Sequence, residues 1–205
     1  MKGFRDVALP YPGKSIRQNG QAQGVSLASA LLVETALQAD LDPKLRVLDM
    51  GCGCGIVSIM CALARPNWQI YGIDIQEDLI SLARENARAC AVEADFETQD
   101  LRLHRGQYDL ILSNPPWQKV GTGMLSPLAA KNLSRVELTC TMPDVLQALQ
   151  RCMAKGAKAI LIYPHKRQKE LESLLCKTSL DIISTHTQSG KKAYFCATLS
   201  IGNRS

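Results

Sequence analysis

Apolar residues recur along the chain with two different periods, and the alternation between them lays out strands and helices in turn. Arg46 to Met50 and Gln69 to Asp74 are short apolar runs that read as strands, the first running into glycines. Between them, Ile56, Ile59, Met60 and Leu63 fall at i, i+3, i+4 and i+7, the spacing of one buried helical face. Residues 25 to 39 read as an amphipathic helix covering a pocket, and 77 to 90 as the helix after the second strand. Tyr108 to Leu112 is a further apolar strand. Pro143 to Lys155 reads as a helix, with Pro near its start and Gly156 just past its end. Residues 157 to 163 form the next strand, Lys166 to Lys177 a helix, and 180 to 187 another strand, with Ser189-Gly190 as the turn that follows. The last strand alternates, with Ala193, Phe195, Ala197, Leu199 and Ile201 on one face and Tyr194, Cys196, Thr198 and Ser200 on the other. Strands alternating with helices predict an α/β fold, a mostly parallel sheet ending in an antiparallel hairpin.

Two segments carry chemistry. Val47-Leu-Asp-Met-Gly-Cys-Gly-Cys-Gly55 is a strand, a tight glycine turn and a helix start, the nucleotide-binding opening of a doubly wound sheet. The spacing of Asp49, Gly51, Gly53 and Gly55 departs from the dinucleotide pattern G-x-G-x-x-G. An acid inside the turn repels a pyrophosphate and suits a ligand with an ammonium or sulfonium centre. Asp74, at the end of the second strand, is placed to accept hydrogen bonds from both ribose hydroxyls.

The second segment is Ser113-Asn114-Pro115-Pro116-Trp117. Two successive prolines stiffen the backbone and supply no N–H, so the nearby carbonyls remain acceptors. Asn114 adds a carboxamide oxygen and Trp117 a π face. Together they form a grip for a planar amino group, holding both its hydrogens while its ring stays flat.

With these segments in this order, the chain resembles the class I S-adenosylmethionine-dependent methyltransferases over roughly residues 44 to 201. The resemblance implies a Rossmann-like, mostly parallel seven-stranded sheet with helices on both faces and an antiparallel C-terminal strand. It implies S-adenosyl-L-methionine as cofactor, with Asp49 to Gly55 at its methionine end and Asp74 on its ribose. An acid after the third strand would meet the adenine; Asp100 is the candidate and Asp95 the competitor. Within that superfamily, Asn-Pro-Pro-aromatic marks enzymes that methylate adenine N6, guanine N2 or a glutamine amide. Such a nitrogen is a poor nucleophile because its lone pair is delocalised. Hydrogen bonds to Asn114 and the Pro115 carbonyl would favour a more tetrahedral nitrogen, so catalysis is mainly orientation and preorganisation. A dedicated base is not required, because the methylated ammonium is itself acidic. His104, His165 and His186 accordingly read as surface or strand-end residues.

After Trp117, Gly121-Thr-Gly123, Ser126-Pro127 and Arg135-Val-Glu137 follow in an order similar to that of the bacterial tRNA adenine-N6 methyltransferases acting beside the anticodon of a valine tRNA. The chain departs from that group in having Ala28 where an Asp is usual and Trp117 where Tyr or Phe is usual.

Length bounds the substrate. With 205 residues the chain reads as a single domain, 1 to 43 an N-terminal loop and covering helix and 44 to 201 the catalytic core. That leaves no separate recognition domain, whereas release-factor glutamine methyltransferases carry a helical domain ahead of the motif and DNA adenine methyltransferases a recognition insertion. The expectation is a structured RNA, most simply tRNA. Guanine N2 of RNA, a protein glutamine, and a non-catalytic cofactor or RNA-binding module are the alternatives. A net charge of +5 and pI near 8.8 are compatible with RNA. Lys14 and Arg17, then Lys166, Arg167 and Lys169, then Lys191 and Lys192 are candidate phosphate contacts. The eight cysteines include no C-x-x-C pair, which argues against a metal or disulfide framework and for a reducing, cytoplasmic setting. The N-terminus lacks the apolar core of a signal peptide, and no apolar run reaches the ~18 residues of a membrane span.

Overall fold

The computed structural model describes residues 3–19, 25–39, 42–115, 140–188 and 193–202. Its centre is a seven-stranded sheet made of β3 (Arg46–Met50), β4 (Gln69–Asp74), β5 (Asp95–Thr98), β6 (Tyr108–Ser113), β7 (Met153–Pro164), β8 (Leu180–Gln188) and β9 (Tyr194–Ile201). The strands lie in the order β5-β4-β3-β6-β7-β9-β8. The contacts from β5 through β7 are parallel, and β9 runs antiparallel to both β7 and β8. Chain direction reverses its march across the sheet between β3 and β6, the crevice where open α/β sheets bind their ligands.

Each face of the sheet has its own core, and period-two alternation assigns residues to them. Val47, Ile70, Leu110, Leu112 and Ile160 pack under α1 (Leu27–Ala39), α2 (Ile56–Ala64) and α3 (Glu77–Cys90). Leu48, Met50, Ile73, Ile111 and Leu161 pack under α4 (Met142–Cys152) and α5 (Gln168–Leu175). The final strand divides the same way, Cys196 entering the first core and Phe195, Ala197 and Leu199 the second. A strand buried on both sides is what a doubly wound sheet demands. The α2 helix is buried from Ile56 through Ala62, so its apolar surface goes almost all the way round, wider than the single face its spacing predicts. Between β4 and α3 the boundaries fall as the sequence pattern places them.

Three expectations change. The stretch before the first helix, read as loop, contains an antiparallel hairpin of β1 (Phe4–Ala8) and β2 (Ser15–Asn19). It turns through Pro10-Tyr-Pro-Gly13 with Gly13 at φ 71°, and Val7, Leu9 and Ile16 anchor it in the first core. The α1 helix packs on α2, β7 and β9, which makes it a layer of the core as well as a cover. The α4 helix stops at Cys152, not Lys155. Gly156, at φ 80°, lies inside β7 where the register to β6 jumps from Tyr108↔Met153 to Leu110↔Lys158. A left-handed glycine serves a helix end and a bulge equally well, and here it serves the bulge. No described helix is long and apolar enough to cross a membrane.

Candidate active site

The glycine turn after β3 is held by its neighbour strand. Gly51 and Cys52 both donate their N–H to the Ile73 carbonyl, at 2.8 and 2.9 Å, so the turn folds over the end of β4. Gly51, Gly53 and Gly55 sit at φ 79°, 55° and 82°, a left-handed conformation that a Cβ disfavours. They do two different things. A Cβ on Gly51 or Gly53 would meet no atom within 4 Å, so the turn leaves room above its backbone. A Cβ on Gly55 would stand 3.1 Å from both Ala83 of α3 and Phe96 of β5, so that glycine permits close packing below.

Asp74 ends β4 with its carboxylate toward this turn. One oxygen accepts from Gly53 N–H at 2.9 Å and the other from Gln76 N–H at 2.9 Å. The group is only partly buried, which leaves it reachable by a ligand above the turn.

Asp49 lies deeper, 2 % exposed on β3. Its Oδ2 accepts from Ser58 N–H at 3.1 Å and Ser58 Oγ–H at 2.6 Å. Gly55, at the cap position of α2, has no side chain to satisfy the first turn. Asp49 therefore caps α2 from the adjacent strand, as an ordinary N-cap carboxylate would. Burial pushes its carboxyl up to about 6; the Ser58 hydrogen bonds oppose that rise and the nearby Asp74 adds to it. This structural task was hidden from sequence, because Ser58 is one more small residue in an apolar helix.

The two acids after β4 separate by position. Asp95 opens β5 opposite Tyr71, at the amino end of the strand, whereas Asp74 pairs with Thr98 at its carboxyl end. Asp100 follows Thr98 and so shares the end of the sheet that carries the glycine turn. Its carboxylate accepts from Arg102 N–H at 2.9 Å and Nε–H at 3.0 Å, and those hydrogen bonds hold it below the usual carboxylate range.

Asn114 and Pro115 emerge at the same end, from β6. Met50 pairs with Ser113, and Ser113 Oγ–H donates to the Met50 carbonyl at 2.7 Å in a fully buried contact. The residue after each is Gly51 on one strand and Asn114 on the other, so glycine turn and amide stand side by side. Pro115 is buried and Asn114 half-buried. Pro116, Trp117, the Gly121 to Glu137 segment, Ser189-Gly190 and Lys191-Lys192 lie outside the described residues.

Two expectations change. His104 is buried, bonded to the Tyr108 hydroxyl at 3.0 Å, and burial lowers its pKa; His165 and His186 are exposed as expected. Arg167 is 4 % exposed, paired with Glu170 at 2.9 Å and stacked over Tyr163, so its charge serves the fold and not a phosphate. Lys14 donates to the Cys90 carbonyl at 2.7 Å, while Arg17 meets Glu85 at 3.6 Å on the surface.

Sequence reading also passed over Asn86. Its carboxamide accepts from Arg17 N–H at 2.8 Å and donates to the carbonyls of Arg17 and Cys54, each at 3.0 Å. One buried side chain thus staples the hairpin and the glycine turn to α3. The signal was present, since Ala83, Asn86, Ala87 and Cys90 share one helical face and Asn86 is the polar residue in that apolar stripe.

The residues fit S-adenosylmethionine. The turn is open above Gly51 and Gly53, the partly buried carboxylate of Asp74 stands beside it, and the N–H groups of Gly51, Cys52 and Gly53 are already spent on β4, so they offer no phosphate-binding row.

The methyltransferase small domain profile matches residues 21–133 of the 205. Release factor glutamine methyltransferase of Enterococcus faecalis is 38% identical over 88 residues, 42% of this chain and 32% of that protein. The chain thus matches about a third of the length of the curated relatives of this kind. The tRNA1(Val) (adenine(37)-N6)-methyltransferase of Aeromonas hydrophila is 28% identical over 159 residues, 72% of this chain and 65% of that protein. Among solved structures, ribosomal protein L11 methylase of Lactobacillus delbrueckii superposes with TM-score 0.67 at 18% identity, covering 88% of this chain and 82% of that one. The tRNA (uracil-54, C5)-methyltransferase of Pyrococcus abyssi gives 0.67 at 17%, covering 96% and 44%. Those two likenesses concern the fold alone. On its sheet order, its glycine turn and the match over more than half its length, the chain belongs to the methyltransferase small domain family, within the class I S-adenosylmethionine-dependent methyltransferases.

Proposed function

We propose that the protein methylates a planar amino nitrogen, adenine N6 in a structured RNA such as a tRNA. The observation that carries this reading is the pairing of Met50 with Ser113, which sets Asn114-Pro115 directly beside the glycine turn. A nitrogen held by the Asn114 carboxamide and the Pro115 carbonyl would then lie next to the methionine end of the cofactor. The cofactor supplies an electrophilic sulfonium methyl group. The chain supplies two acceptors for the amino hydrogens, a stiff backbone, and Pro116 and Trp117 to carry the base face, with the base presented unstacked. Transfer would form the nitrogen–carbon bond as the carbon–sulfur bond breaks, with the proton leaving the methylated ammonium for solvent. Asp74 would bind the ribose, Asp100 the adenine, and Asp49 with Gly51, Gly53 and Gly55 would shape the methionine end.

RNA is favoured over protein because the Aeromonas tRNA enzyme aligns with 72% of the chain, while the release-factor enzymes align with 42% or less. The higher identity of the release-factor group over its shorter span supports a glutamine amide as the second reading.

The test is transfer of labelled methyl from S-adenosylmethionine into total RNA from a host lacking this gene, followed by nucleoside mass spectrometry. N6-methyladenosine that disappears with Asn114→Ala, while cofactor affinity stays within about twofold, is the expected result. Unlabelled RNA beside a ribonuclease-resistant labelled protein assigns the glutamine amide.

A further inference from the structure

We propose that Gln18, in the hairpin ahead of the sheet, binds the cofactor, its side-chain oxygen accepting a hydrogen bond from the ammonium group of the methionine moiety. Gln18 is 5 % exposed although it stands on a two-stranded hairpin. Its Nε2 lies 3.8 Å from Cys54 Sγ, a weak contact that nevertheless sets the carboxamide against the glycine turn between Gly53 and Gly55. Its Oε1, on the same carbon, is buried with no hydrogen-bond partner among the described residues. Buried acceptors are almost always satisfied, and one left open beside a ligand site calls for a donor from the ligand.

Position is not accidental either. The adjacent residue, Arg17, is gripped through both its backbone groups by Asn86, which also holds the Cys54 carbonyl. The strand carrying Gln18 and the turn it faces are therefore fixed to one another, and the carboxamide is preorganised.

The order of strands selects the donor. Asp100 follows β5, Asp74 ends β4 and the glycine turn follows β3, so the three stand in that order along the carboxyl edge of the sheet. A cofactor whose adenine, ribose and amino acid lie in a row, the two acids taking adenine and ribose, brings its amino-acid end to the β3 turn. This step rests on the assignments of Asp74 and Asp100 above. The donor remaining at that end is the ammonium group, and a carboxamide oxygen suits it without adding a second buried charge near Asp49.

The test compares two ligands on the full chain by calorimetry: S-adenosylhomocysteine, which keeps the ammonium group, and methylthioadenosine, which lacks the amino acid. Gln18→Leu should weaken S-adenosylhomocysteine by roughly tenfold or more, the loss expected for a hydrogen bond to a charged group, and leave methylthioadenosine within about twofold. Melting of the ligand-free variant should be no lower than that of the parent, because an unsatisfied buried acceptor has been removed. Gln18→Glu should hold S-adenosylhomocysteine at least as tightly as the parent, and Gln18→Met repeats the comparison should the Leu variant fail to fold. Unchanged binding of S-adenosylhomocysteine overturns the proposal. Equal loss of both ligands overturns it too, and traces the fault to the order in which the cofactor lies along the sheet. A sharp loss in Gln18→Glu alone would put the amide nitrogen on the cofactor carboxylate and overturn the acceptor assignment.

Discussion

Gly53 donates its N–H to the Asp74 carboxylate at 2.9 Å across twenty-one residues of chain, which makes the glycine turn and the acid at the end of β4 a single device. The carboxylate proposed for the ribose thus also holds the turn proposed for the methionine end. Asp74→Ala should therefore weaken S-adenosylhomocysteine by roughly a hundredfold or more, and cost about 1 kcal/mol of stability through the orphaned Gly53 and Gln76 N–H groups. Asp74→Asn keeps an acceptor for Gly53, so its stability should stay within about 0.5 kcal/mol of the parent while affinity still falls about tenfold. Calorimetric titration beside urea denaturation separates the two effects.

Most of this device was legible in the sequence, because the glycines, Asp74 and the α3 boundaries are local signals with fixed offsets. What escaped is non-local. The hairpin offers few inward apolar residues, Val7 and Ile16 on its strands and Leu9 in its turn, so no alternation long enough to announce a strand appears in Phe4–Ala8 or Ser15–Asn19. Its stability comes from Asn86, Cys90 and Met60, which reach it across 49 to 76 residues of sequence. Sequence put Asp100 ahead of Asp95 without a spatial reason; strand register supplies one, since Asp95 lies at the far end of the sheet from the glycine turn.

Glycines of the two kinds should separate stability from binding. A Cβ on Gly72 would lie 2.6 Å from the Phe96 ring, so Gly72→Ala should cost about 1 to 3 kcal/mol, much of it recovered in a Gly72→Ala/Phe96→Leu pair. Gly53→Ala meets open space at φ 55° and should cost only about 1 kcal/mol, yet the added methyl occupies the room above the turn and should abolish measurable S-adenosylhomocysteine binding. Parallel losses in both variants would show that the two glycines are not distinct in kind.

Removing the Asn86 carboxamide leaves three backbone groups without partners, Arg17 N–H and the carbonyls of Arg17 and Cys54. Asn86→Ala should cost about 2 to 4 kcal/mol. The loss should be uneven, with amide exchange rising first at residues 15 to 18, while β3 and β6 keep their protection. Uniform acceleration across the sheet would mean that the hairpin is no more than a passenger of global unfolding.

Asp49 sets the pH dependence. Its folded carboxyl titrates at about 6 against roughly 3.9 in an unfolded chain, chiefly because burial disfavours the charge. Where the folded value is the higher, the folded state binds the proton more tightly, so stability falls as pH rises through the interval from about 4 to 6 and is level above it. Two units correspond to about 3 kcal/mol, held in check only by the capping bonds from Ser58. Asp49→Asn keeps an oxygen for Ser58 without the buried charge. Its melting temperature should therefore match the parent's near pH 4, rise above it between pH 4 and 6, and hold a constant lead at pH 7 to 8. With the methionine end above the turn, as proposed, the cofactor would supply a counterweight, because a cation there would stabilise the charged carboxylate. Saturating S-adenosylmethionine should narrow the lead of Asp49→Asn at neutral pH more than uncharged-sulfur S-adenosylhomocysteine does. An equal narrowing by both ligands would place the sulfonium beyond the reach of Asp49 and leave the acid as a helix cap alone.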